Sequence, residues 1–331
     1  ERQYEDVTFD PASGLSKEAL AAEFQRYRAE NPGEPRILTK ARLLRILCTN
    51  ARIAPEPGDP FVGKLEHHSL LHALRREWWQ EEGSREFKDA PAAVPGLWSA
   101  QLDCASHICP GWNTLLEYGA VGLRDCSAAR SGVFYQAVAI VFDGLIALIK
   151  RFSALQPHPV LEALAERPPQ TLHEALQLVY IYHELMEADG MEIRSMGRFD
   201  LLYNAFYLND VSTGTLTRDE AKELLKYFWI KFFAKTGGKR FGKPFLFGPD
   251  INELSHLAFE VYHEMRIVDP KFHVRVAERT SAGFLEQMVR CIQDGCTSMV
   301  IVNDDRQVEM LEKNGKTQKD ANDYVLIGCY E

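Results

Sequence analysis

Two residues near the carboxyl end carry the most pointed chemistry in the sequence. They are Cys329 and Glu331, two positions apart in Gly328-Cys329-Tyr330-Glu331. In an extended loop, positions 329 and 331 project to the same side, which sets a sulfur beside a carboxylate. Such a carboxylate can serve as a general base for any proton within hydrogen-bond reach. The apolar run Val325-Leu326-Ile327 reads as a buried strand that delivers the pair at its carboxyl end. An earlier run, Met299 to Val302, reads the same way and empties into Asn303-Asp304-Asp305, a turn-forming cluster. Buried strands that end in polar loops are where α/β proteins place their chemistry. Two further polar loops hold candidate residues: His107 before Pro110, and Glu192, Arg194 and Ser195 after Gly190.

The elements that must position these residues follow from periodicity. Residues 1 to about 95 read as mostly helical, with Leu43, Leu44 and Leu47 on one face of a helix over 40–50. Pro55, Pro57, Gly58 and Pro60 break the chain, and 67–80 returns to a helical pattern. The charged stretch 81–89, with Pro91 and Pro95 after it, is the clearest linker. Thr171 to Glu174 and Thr217 to Glu220 have the spacing of capping boxes. The first opens a helix lined by Leu172, Leu176, Val179, Tyr182 and Met186 and ended by Gly190; the second opens one lined by Ala221, Leu224, Leu225, Phe228 and Phe232. Gly237, Gly238, Gly242, Pro244 and Gly248 mark an irregular connection. Beyond it, strand and helix alternate: a helix over 255–265, a strand over 272–276 with His273 and Arg275 opposite its apolar face, and a helix over 284–293. The strand at 299–302, helices near 306–313 and 317–323, and the final strand complete the series. That alternation predicts a parallel α/β sheet or barrel.

Composition narrows the functional classes. The formal net charge of −9 argues against nucleic acid, whose binding needs a concentrated positive face. The cysteines, Cys48, Cys104, Cys109, Cys126, Cys291, Cys296 and Cys329, show no C-x-x-C pair, zinc spacing or disulfide framework. They point to a reducing cytoplasm, with no metal site expected. The longest apolar stretch, 134–149, is interrupted by Gln136 and Asp143 and reads as a buried helix too short and too polar to span a bilayer. The chain starts on Glu1 and stops on the Cys–Glu motif, which reads as a fragment of a longer protein.

The order of several strings carries a resemblance. Gly328-Cys329-Tyr330-Glu331 is similar to the Gly-Cys-Val-Glu active-site motif of the glycyl radical enzymes, the family of pyruvate formate-lyase and the diol dehydratases. Ser106-His107 with Pro110, Phe134-Tyr135-Gln136-Ala137, and Thr171 through Gln177 resemble upstream segments of that family. So do Gly197-Arg198-Phe199-Asp200, Asn252 through Ser255, Val274-Arg275-Val276 and Asn303-Asp304. Together they cover residues from about 35 to 331.

The resemblance implies a ten-stranded β/α barrel, two five-stranded halves wrapped in helices. Residues 1–95 would form a helical N-terminal part and 96–331 the barrel part ending at the Cys loop. It implies a small-molecule substrate, a homodimer, and a radical stored on a backbone Gly. That radical would be installed by a separate activating enzyme using S-adenosylmethionine and a 4Fe-4S cluster. The Arg-Val-x-Gly-Tyr type of motif that holds the radical Gly does not occur here. Cys329 would abstract hydrogen as a thiyl, and Glu331 would act as acid/base in a dehydratase or other lyase. The residue before Cys329 is Gly328 rather than a second Cys, which argues against acyl transfer through paired cysteines. His107, Glu192, Ile193 and Tyr330 would contact substrate. Tyr330 stands where the family usually has Val, and Glu192-Ile193 where the diol dehydratases have His-Ser, which favours a cationic or amino-bearing substrate over glycerol or propanediol. A C–N or C–S lyase, an aryl-acetate-type radical decarboxylase, and a non-catalytic scaffold are the alternatives; a Cys–His hydrolase is a more distant one.

Overall fold

The computed structural model describes residues 8–66, 107–191, 194–233 and 243–327. An N-terminal helical layer comes first: α1 (Lys17–Glu30), α2 (Arg36–Asn50), α3 (Trp112–Ala128), α4 (Val133–Leu155) and α5 (Pro159–Leu164). Residues 51–65 between them are irregular, with the bridges Leu15 to Ala51 and Ile53 to Leu65. The expected helix at 67–80 and the linker at 81–89 lie outside the described residues. By length and apolarity α4 could cross a membrane, contrary to the reading of 134–149 as too short, because the helix extends to Leu155. It packs against α2 and α3, and Leu145, Leu148, Ile149 and Phe152 on it are fully buried.

The second layer is α6 (Leu172–Ala188), α7 (Phe199–Thr213) and α8 (Arg218–Phe233). Thr171 caps α6 by accepting from the Glu174 N–H at 3.2 Å. The Glu174 carboxylate does not close the expected box. It binds Arg167 at 2.7 and 2.8 Å, a bidentate charge-assisted pair, and the Gln170 N–H. At α8 the box is reciprocal, Thr217 N–H to Glu220 at 2.8 Å and Glu220 N–H to Thr217 at 3.2 Å.

The sheet follows: β1 (Phe245–Phe247), α9 (Glu253–Met265), β2 (Phe272–Val276), α10 (Ala282–Gln293) and β3 (Met299–Asn303), then α11 (Asp304–Lys313) and α12 (Gln318–Asn322). The three strands are parallel in the order β1-β2-β3, with Leu246 beside His273 and His273 beside Val300. β1 arises inside the stretch expected to be irregular. Its Phe245 and Phe247 are fully buried in an aromatic layer with Phe199, Phe228, Trp229 and Phe272, so three residues suffice for a strand. Two parallel bridges widen the sheet: Arg198 to Leu246, and Ile108 to Arg194. Chain segments at 108, 194–198, β1, β2 and β3 therefore run side by side in one direction. Only the three-stranded sheet is formed as such, and a ten-stranded barrel is not seen among the described residues.

Two expectations change at the strand ends. Asn303-Asp304-Asp305 is not a turn but the start of α11: the Asn303 side chain accepts from the Arg306 N–H at 3.0 Å, and two acidic residues occupy the first turn, where the helix dipole favours them. The last apolar run, 325–327, is not a strand.

One buried carboxyl ties the helical layer to the sheet. Asp200 on α7 accepts from the Gly248 N–H at 2.7 Å and from the Ser255 hydroxyl at 2.9 Å, fastening the end of β1 to the start of α9. Gly248 sits at φ +75, and a side chain there would meet the Arg275 carbonyl at 2.6 Å, so the turn needs glycine. Burial pushes the Asp200 carboxyl up to about 6, against the hydrogen bonds from Gly248 and Ser255 that pull it down. A raised folded-state value means that the stabilising contribution is complete below the unfolded value of about 4 and is lost as pH rises through about 6. Asp200→Asn keeps an acceptor and removes the titration. Relative to wild type it should gain on the order of 3 kcal/mol between pH 4 and 7, read from paired urea-unfolding curves. A difference between the two proteins that stays constant with pH would contradict this.

Candidate functional site

Alternation along β2 divides its side chains between two environments. Phe272 and Val274 enter the helix-covered core, while His273 and Arg275 point to the opposite face, where both are buried. Register puts Leu246 of β1 and Val300 and Val302 of β3 on that same face. This face, free of the helical layer, is the candidate site.

Arg275 organises it. Its Nε donates to Asp304 Oδ1 at 2.7 Å, linking the middle of the sheet to the first turn of α11. Its Nη2 and Nη1 donate to the carbonyls of Asn322 and Tyr324 at 2.9 and 3.3 Å. The guanidinium lies 4.0 Å from the centre of the Tyr324 ring, and the Tyr324 hydroxyl donates back to Asp304 Oδ1 at 2.9 Å. Arg279 adds a longer contact to Asp304 Oδ2 at 3.6 Å. Burial, then the Asp304 charge, pushes the Tyr324 phenol up, so it remains a donor. These bonds draw the chain from residue 322 onward over the face that Arg275 presents. Side-chain donors thus take the carbonyls just ahead of 325–327, which forms no strand.

The start of this segment is gripped from the other side as well. Arg198 Nη1 reaches the Asn322 carbonyl at 3.4 Å and Asp323 at 3.3 Å. Cys109, an exposed residue, lies nearby; desolvation by the surrounding protein and then the Asp323 charge push its thiol up to about 11. Behind the 194–198 segment, Arg194 is fully buried against Glu187 and His183 of α6, and Lys243 reaches the same Glu187 at 3.2 Å.

Of the residues expected from the sequence, His107 is placed: it is exposed, at φ +59, one residue before the Ile108 bridge to Arg194. Cys329, Tyr330 and Glu331, and also Glu192 and Ile193, lie outside the described residues. The structure shows the approaches to them, at Ile327 and at Arg194. The sequence reading missed what Arg275, Asp304, Tyr324 and Asp200 do. The signal was present: a lone arginine at an inward position of an apolar strand, followed by an acid at the end of the next strand, is a buried ion pair in the making.

Comparison with known proteins agrees with this geometry. The sequence profile described as "Pyruvate formate lyase-like" matches residues 72–237 and 248–331, more than half of the chain. The chain is 26% identical to "Trans-4-hydroxy-L-proline dehydratase" of Clostridioides difficile, over 63% of this chain and 31% of that protein. It is also 26% identical to "Probable dehydratase YbiW" of Escherichia coli, over 84% of this chain and 42% of that protein. The chain thus spans well under half the length of these curated relatives. Among solved structures, a glycyl radical enzyme from Archaeoglobus fulgidus superposes with a TM-score of 0.75 at 20% identity, covering 96% of this chain and 53% of that one.

Arg275 and Asp304 should behave as one unit. Removing either partner strands a buried charge, at a cost of about 3–5 kcal/mol. Arg275→Met and Asp304→Asn should each lose about that much in urea unfolding, and the double variant should lose little more than either alone. Losses that add would show that the two act separately.

Proposed function

Because this chain belongs to the pyruvate formate lyase-like family, we propose that it supplies the cysteine-loop half of a glycyl radical lyase, a dehydratase acting on a small polar substrate. One observation carries the reading: the segment that Arg275 holds across the open face of the sheet leads within a few residues into Gly328-Cys329-Tyr330-Glu331. The three parallel strands and the two parallel bridges beside them support reading this sheet as part of the expected ten-stranded barrel, with β3, where Ile301 is half exposed, as the edge at which it would continue. Residues 1–95 then form the helical N-terminal part and 96–331 the barrel part.

The walls fit such chemistry. Leu246, Val300 and Val302 line the face on which the segment lies, and apolar surroundings suppress side reactions and keep a sulfur as the thiol that hydrogen-atom transfer requires. A radical stored on a backbone glycine outside this chain, installed by a separate S-adenosylmethionine-dependent iron–sulfur enzyme, supplies the oxidising equivalent. Cys329 gives up its S–H hydrogen and, as a thiyl, takes one hydrogen from a substrate carbon. Glu331 accepts the proton of the hydroxyl on that carbon and returns it to the neighbouring hydroxyl, which departs as water. The product radical recovers its hydrogen from Cys329, which closes the cycle with no net redox change.

Substrate contacts extend to Tyr330, beside Cys329, and to His107 with Glu192 and Ile193. The parallel bridge of Ile108 to Arg194 supports grouping the latter three, since it runs their two strand entries side by side. A carboxylate at 192 favours a cationic or amino-bearing substrate. The protein works as a homodimer in the cytoplasm in this reading.

Two variants of the full-length protein, activated under anaerobic conditions, test the assignment. Cys329→Ser should abolish turnover while the glycyl radical signal in electron paramagnetic resonance persists, because a serine O–H is too strong to exchange hydrogen. Appreciable turnover in that variant would make Cys329 a packing residue. Glu331→Gln should lower kcat by about 10²–10⁴ with a smaller change in KM. Elimination at near wild-type rate would remove Glu331 from the base role and leave the cysteine assignment untouched.

A further inference from the structure

Away from the sheet, helices α2, α3 and α4 enclose an open cavity of about 780 Å³ with an unusual charge for this protein. Arg42, Arg45, Arg124 and Arg130 line it, with Asp143 as the lining carboxylate. Arg45 is engaged by Asp143 at 2.6 Å and Arg124 by Asp125 at 2.7 Å. The other two arginines have tyrosine neighbours. Arg130 Nη1 contacts the Tyr135 hydroxyl at 3.3 Å, and its guanidinium stands 5.1 Å from that ring. Arg42 lies against the Tyr27 hydroxyl. Four lining arginines face Asp143 in the cavity and Asp125 and Glu34 at its margin, which leaves an excess of one positive charge here, in a chain of net charge −9.

The amino end of α4 opens onto the same space. Gly132 and Val133 line the cavity, and Gly132 caps this 23-residue helix without any side-chain acceptor. Its first N–H groups thus meet the arginines at the positive end of a long helix dipole, a combination suited to a phosphoryl group. Arginine forks match phosphate oxygens two at a time. The cavity is also much larger than one phosphate, in the range that small organic ligands fill. The string Phe134-Tyr135-Gln136-Ala137, which the radical chemistry leaves unused, runs through this wall: Gln136 lines the cavity and Tyr135 holds Arg130.

We propose that this cavity binds a phosphate-bearing small molecule, its phosphoryl oxygens held by Arg42, Arg124, Arg130 and the first N–H groups of α4. The site is independent of the cysteine loop and does not rest on the proposed reaction.

Calorimetric titration of the full-length protein with inorganic phosphate and with adenosine monophosphate, at constant ionic strength in sodium chloride, tests this. Saturable binding of at least one probe is expected. Arg42→Gln and Arg130→Gln should each weaken it about tenfold or more, the loss of a charge-assisted hydrogen bond. Both residues lie at the cavity wall away from the core, and unchanged thermal unfolding without ligand would show that the variants fold. Tighter binding of the nucleotide would identify an organic phosphate as the ligand, and equal binding a free oxyanion. Heat no greater than that from chloride alone, or binding unaltered in both variants, would overturn the proposal.

Discussion

A buried arginine on a central strand sets the terms for the rest of this structure. Arg275 cannot return its charge to water, so it must be paired and its donors filled. Asp304 supplies the charge, and the carbonyls of Asn322 and Tyr324 accept from the two terminal nitrogens. Each partner lies at an element boundary: the first turn of α11, the end of α12 and the start of the last segment. One side chain therefore fixes the exit of β3 and the path of the chain toward Cys329. An apolar residue at 275 could hold the sheet together equally well but could not direct the segment that follows.

The helical layers make this face available by occupying the other. Phe199, Phe245, Phe247 and Phe272 pack edge to face or tilted between α7, α8, α9 and the sheet, with ring centres 4.6 to 5.7 Å apart. This layer consumes one side of β1 and β2. Asp200 then fastens the β1 turn to α9, so the strand ends that border the face are held by hydrogen bonds rather than by loop packing. The result is a rigid apolar floor with one charged clamp, an arrangement suited to chemistry that must exclude water.

Much of this was legible in the sequence. Regular alternation and capping residues reveal α6, α8, β2, α10 and β3 because there local preference and tertiary packing agree. β1 hid inside a glycine-rich connection, since three phenylalanine-flanked residues carry no period. The segment 325–327 reads as a strand because apolar runs report burial rather than hydrogen-bond partners. Asn303-Asp304-Asp305 reads as a turn because turn and N-cap residues are the same types. The family resemblance was legible from ordered short strings, and it named Cys329 and Glu331. What no string conveyed was the cooperation of Arg275, Asp304 and Tyr324, separated by up to 49 residues and joined only by the fold.

In the proposed enzyme the Arg275 clamp carries the cysteine loop onto the inner face of the sheet. A crystal structure of the full-length protein, with residues 322–331 traced in density, measures this directly. Cys329 Sγ and the Glu331 carboxylate should lie on the same side of the sheet as Leu246, His273 and Val300, in a cavity closed from solvent. Finding Cys329 on the helix-covered side, or at the outer surface of the protein, would contradict it.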